Sequence, residues 1–234
     1  MNTTPAISAG RDTRRLWSTL FILLALAVSC LLFVLLDQAY NRFINAHFPD
    51  IGSSMALATL YGVVSRLHLI LPLLALAVWQ PRLLGLQMGK TRQHWRMILI
   101  MLVANCGLVA GYLILTGNTT PYSGNQWLFT EVVTVPLVEE TMWRGAVFAA
   151  LLLAFGRVYP PGRAAVWTVW AGGFAFGLLH GSNALVGVPL PFVAVQVLNA
   201  TVWGVVYGYA RARTGSLYPP ILLHAAMNLV VVLM

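Results

Sequence analysis

Charge is what this chain lacks most. Only 9% of its 234 residues are charged, against about 25% in ordinary soluble domains. Acid is scarcer than base: six Asp and Glu stand against fourteen Lys and Arg, a formal net charge of +8. With 59% hydrophobic residues, the composition excludes an ordinary soluble core and points to a polytopic membrane protein. The positive balance does not imply nucleic acid, because most basic residues flank apolar segments, as membrane topology requires. The two cysteines, Cys30 and Cys106, are far apart and lie in apolar sequence. They exclude a disulfide framework and a cysteine metal motif, and packing is their expected role. No internal repeat, low-complexity tract or second domain is evident.

What is present is apolar sequence in seven stretches: about 17–36, 55–80, 97–116, 127–156, 164–182, 191–210 and 217–234. A spanning helix needs about 20 mostly apolar residues. The expected fold is all-α: a polytopic helical bundle of about seven transmembrane helices, or eight if one segment is broken or re-entrant. The first stretch is long for a signal peptide and is read as a retained helix. Residues 1–16 read as an N-terminal cytoplasmic tail and 17–234 as a single transmembrane domain. The fourth stretch contains Pro136, which suits a first helical turn, so a helix is expected to start there after a short lead-in. With the N-terminus inside, eleven basic residues fall on the cytoplasmic side and only Arg42 outside, which sets the expected orientation. The triplet starting at Asn118 is a formal glycosylation acceptor and carries little weight.

A short set of polar residues remains at membrane depth: Arg66, His68, Glu131, Glu139, Glu140, Arg144, His180, Gln196, Asn199, His224 and Asn228. Two adjacent glutamates stand out, because a charge at helix-centre depth costs about 2.5–3.5 kcal/mol on insertion scales. Residues four apart share a helical face and neighbours diverge by about 100°. Glu140 and Arg144 should therefore pair, acid first, in the favourable order. Glu139 points elsewhere, with Trp143 as its neighbour four residues on. It must find a partner on another helix or be protonated, and it is expected to turn towards His180 and His224. Arg66 could reach Glu131, and Gln196 and Asn199 read as hydrogen bonders between helices.

In order along the chain come E-E-x-x-x-R (Glu139, Glu140, Arg144), F-x-x-x-H (Phe176, His180) and H-x-x-x-N (His224, Asn228). This series resembles the CPBP family of intramembrane proteases, which includes the CAAX prenyl endopeptidases and is also called the Abi family. The likeness covers about 131–230. It implies that Glu139 activates a water with His180, that Glu140 and Arg144 brace the site, and that His224 and Asn228 stabilise the oxyanion. Hydrolysis does need a base for water and donors for the developing oxyanion. The expected partners are a membrane protein or lipidated peptide as substrate and the bilayer itself. The expected location is a bacterial inner membrane.

Two questions stay open on sequence. Glu139, His180 and His224 could build the His₂Glu set of catalytic zinc, although no H-E-x-x-H is present; a metal-independent glutamate route is preferred, with no cofactor. The alternative function is a non-catalytic membrane protein, either a proton-coupled carrier or a bacteriocin-immunity factor that binds through the same cavity. A simple seven-span drawing also puts His180 and His224 at different depths. Different boundaries, tilted helices or a broken segment would reconcile them, with Gly172-Gly173 and 181–189 as the candidate breaks.

Overall fold

The computed structural model describes residues 9–48, 50, 53–117, 124–186 and 188–234. It is helical, with no strand among the described residues. The main helices are α1 (Ala9–His47), α2 (Met55–Val64), α3 (Leu67–Trp79), the short α4 (Pro81–Leu84), α5 (Trp95–Thr116), α6 (130–155), α7 (Pro161–His180), α8 (Leu190–Thr214) and α9 (Tyr218–Leu233). Residues 9–16 of the expected tail belong to α1, which continues well past the apolar stretch. The Asn118 triplet lies outside the described residues.

Among the described residues, three helices are long and apolar enough to cross a membrane: α1, α5 with its lead-in turn, and α8. A fourth crossing is available if α2 and α3 act as one span, bent by 63°. Length and apolarity thus support three or four crossings and do not confirm the expected seven. The bend has local causes. Tyr40 Oη donates to the Val64 carbonyl, and Arg66 Nη1 donates to the Gly62 carbonyl at 3.3 Å. Side chains thus take carbonyls of the last α2 turn while Arg66 leaves the helical region (φ −116°, ψ 5°).

Helix α6 departs most from the expected form. It does not start at Pro136. It runs through it, with wide π turns at Thr130–Thr134 and Thr141–Val147 around an α-helical Val135–Glu140. The two glutamates sit at the end of this regular piece, between the two wide turns. Single π turns inside α-helices occur frequently at functional sites.

The expected break at Gly172-Gly173 is absent, because α7 is continuous from Pro161 to His180. These glycines serve close packing. A Cβ on Gly173 would stand 2.5 Å from the Val205 side chain and 2.8 Å from its backbone nitrogen. Gly204 faces it, and a Cβ there would meet the Gly173 Cα at 3.0 Å. Helices α7 and α8 therefore touch backbone to backbone, a contact that small residues allow in membranes. The chain does leave the α-helix at 181–186, in a 3₁₀ turn between α7 and α8.

Candidate active site

The site is built on α6, α7 and α9, with α5 and α8 behind it. Glu140 is fully buried. Its Oε1 accepts from Arg144 Nη1 at 3.1 Å, one turn on, and from His224 Nδ1 at 2.8 Å. The pairing expected within α6 is present. The sequence reading did not foresee that His224 bonds Glu140, although the Glu139 charge also acts on it. The Arg144 guanidinium lies over Phe176, 4.3 Å from the ring centroid, and 5.5 Å from that of Tyr207. Phe176 in turn meets Trp143 edge-on at 5.6 Å. A cation between two aromatic faces gains from both rings when water is excluded.

Glu139 differs in every respect. It is half-buried and makes no hydrogen bond or ion pair among the described residues. Its charge acts on both Glu131 and His224. The π turn explains why Glu131 is there. Eight residues of regular helix would leave Glu131 and Glu139 about 80° apart, and taking up one extra residue in the wide turn brings them within about 20°. The α-helical wheel could not show this alignment. Arg66 does not pair with Glu131; its Nη1 is bonded to Gly62 and Ser65. His68 instead meets Asp37 of α1 at 3.2 Å.

His180 is the last residue of α7, one turn beyond Phe176. Its Nδ1 lies 2.9 Å from the Phe176 carbonyl. A carbonyl can only accept, so Nδ1 carries a proton and the neutral ring presents a bare Nε2. That is the tautomer a proton acceptor needs. In His224 the Nδ1 proton goes to the Glu140 carboxylate, and Nε2 can donate only when the ring is doubly protonated.

Asn228 sits one turn after His224. Its Nδ2 donates to the Glu131 carbonyl at 2.8 Å, and proline explains why that carbonyl is open. The Val135 N–H bonds Thr130, five residues back. The next N–H in that ladder would belong to Pro136 and reach Glu131, but proline has none. The Asn228 amide takes its place and ties α9 to α6. The second Nδ2 hydrogen remains for another acceptor.

The start of α9 bears on the expected depth difference between His180 and His224. This helix does not begin at a surface. Ser216, Leu217, Pro219 and Pro220 are buried. The Leu217 N–H donates to the Gly85 carbonyl at 2.9 Å, and the Lys90 N–H to the Thr214 carbonyl at 2.7 Å. Non-helical backbone is tolerated at depth when protein covers it, and here the 85–90 loop does so. His224, the seventh residue of the helix, is therefore already buried in protein.

The sequence reading missed the support behind His224. Asn105 of α5 is fully buried. Its Nδ2 donates to the Tyr207 hydroxyl at 2.8 Å and to the Leu223 carbonyl at 2.9 Å, and the Tyr207 ring lies 5.8 Å from that of His224. An asparagine inside an apolar run was the available signal. Of the two other polar residues, Gln196 accepts from Asn183 at 2.7 Å, and Asn199 is exposed. The zinc set does not assemble: among the described residues, no three His, Cys, Asp or Glu side chains are grouped to hold a metal ion.

Neither a curated protein nor a solved structure matches the chain. A family model does match, over residues 121–230, and it is described as type II CAAX prenyl endopeptidase, Rce1-like. All three motifs fall inside that stretch, which is similar to the Rce1-like type II CAAX prenyl endopeptidases and consistent with a CPBP family protease.

Proposed function

We propose that the protein is an intramembrane endopeptidase in which Glu139 is the general base. The observation that carries this reading is the unequal treatment of two adjacent carboxylates. Glu140 is committed to Arg144 and His224, while Glu139 has no partner among the described residues and acts electrostatically on Glu131 and His224. Water is activated by a group free to take a proton, and only Glu139 of the two is free.

The proposed chemistry assigns each residue one step. Glu139 takes one proton of a water as its oxygen attacks the peptide carbonyl carbon. His180 Nε2 accepts the water's other hydrogen and orients the attack. The carbonyl oxygen becomes an oxyanion, received by the free Nδ2 hydrogen of Asn228 and by doubly protonated His224. The C–N bond then breaks as Glu139 returns its proton to the leaving amine. Glu140 and Arg144 hold His224 without touching the reacting atoms. The route is metal-independent and uses no cofactor. The family description supports a substrate cut near a prenylated cysteine in a C-terminal tail; a bacteriocin leader or a membrane-anchored sorting tail would meet the same chemistry.

The test is cleavage by purified protein, with and without chelator. Glu139→Gln should lose cleavage while keeping its thermal stability, and chelator should have no effect. Loss of activity in chelator with recovery in zinc would overturn the metal-independent route. Biological activity that survives Glu139→Gln would favour a carrier or binding factor.

A further inference from the structure

Arg211 is a buried cation without a counter-charge. It lies in the last turn of α8 and is 8% exposed. Its hydrogen bonds go to neutral oxygens: Nε to the Arg144 carbonyl at 3.0 Å and Nη2 to the Leu83 carbonyl at 3.3 Å. Phe148 lies 5.4 Å from the guanidinium. No acid among the described residues acts on it. A charge taken out of water is costly unless it is paired. Carbonyls and the α8 C-terminus offer a partial charge of about half a unit. A guanidinium has five N–H groups, so those two bonds leave donors unused. Gly85 presses against this group: a Cβ there would stand 2.5 Å from Cζ, and its φ of +78° suits glycine. The guanidinium is thus held in place from behind.

Beside it opens a cavity of about 380 Å³ whose lining combines Arg82 and Arg211 with Leu83, Phe148, Leu152 and Leu153. That volume suits an organic headgroup better than a bare ion. Leu152 and Leu153 are also exposed, so the apolar wall continues onto the surface of the bundle. Arg82 is exposed and joins none of the ion pairs among the described residues. The orientation expected from the basic loops puts this end on the cytoplasmic side, where the leaflet carries anionic lipids and basic pockets between helices receive their headgroups.

We propose that Arg82 and Arg211 bind the phosphate headgroup of an anionic phospholipid, with its acyl chain lying along Leu152 and Leu153. The site is separate from the proposed catalytic residues. It touches them only through the Arg211 bond to the Arg144 carbonyl.

Native mass spectrometry of the purified full chain in detergent tests this without any substrate. The probes are phosphatidylglycerol and phosphatidylcholine of the same acyl chains, and inorganic phosphate alone. Wild type should retain phosphatidylglycerol in preference to phosphatidylcholine. Arg82→Ala, at an exposed position that spares folding, should weaken retention about fivefold, the effect of one basic residue near an anionic surface. Arg211→Gln should weaken it further if that variant folds; Arg82→Ala decides the matter if it does not. Equal retention of both lipids, or retention unchanged in Arg82→Ala, would overturn the proposal. Displacement of the lipid by millimolar inorganic phosphate would make this a soluble-anion site and overturn it equally.

Discussion

A carboxylate shut away from water is tolerable only when donors meet its oxygens. Glu140 meets that condition at Oε1, through Arg144 and His224, while its buried Oε2 has no donor among the described residues; both partners depend on it in turn. Removing one member strands the others, and breaking a buried pair costs about 3–5 kcal/mol. Arg144→Ala should therefore lower thermal stability by an amount of that order, measured by unfolding in detergent, and lose activity with it. Glu139→Gln should leave the same unfolding curve unchanged. Asn105 offers a third contrast. Asn105→Leu leaves the Tyr207 hydroxyl and the Leu223 carbonyl without a donor, a cost of about 1–3 kcal/mol. It should lower both stability and turnover, although it lies outside the 121–230 family region.

At the scale of elements, α6 and α9 define the site together. Pro136 and Asn228 act as one device: the proline withholds an N–H, and the asparagine supplies one from another helix. Pro136→Ala should let the backbone N–H compete for the Glu131 carbonyl. Cleavage should fall about fivefold, the worth of one hydrogen bond of about 1 kcal/mol, while stability holds or rises; parallel rate and unfolding measurements check this. Much of the element pattern was legible in sequence. The seven apolar stretches correspond to α1, to α2 with α3, and to α5 through α9, and the i,i+4 rule found the Glu140–Arg144 pair. Two features were not legible. The π turns are set by packing and by proline, and a 100° wheel cannot show them, so the Glu131–Glu139 alignment was missed. The His224–Glu140 bond depends on where α9 begins in depth, and that is set by the 85–90 loop, far away in sequence.

At the scale of the whole molecule, the basic loops and the buried site make one arrangement. Exposed leucine, phenylalanine and tryptophan cover α1 and α5, as a lipid-facing surface requires, while the glycine contact of α7 and α8 closes the bundle. With native cysteines replaced, single cysteines at positions 92, 157 and 213 should all label from the cytoplasmic side, and one at 42 from the opposite side. Labelling of 92 and 157 from different sides would break the proposed topology. The central claim is narrower: Glu139 does chemistry and Glu140 does not. Mass spectrometry of membrane peptides from cells making the wild type or Glu139→Gln tests it most directly. The account predicts that a set of cleavage products disappears in Glu139→Gln while the protein accumulates to the same level. The same products persisting at wild-type abundance would contradict it.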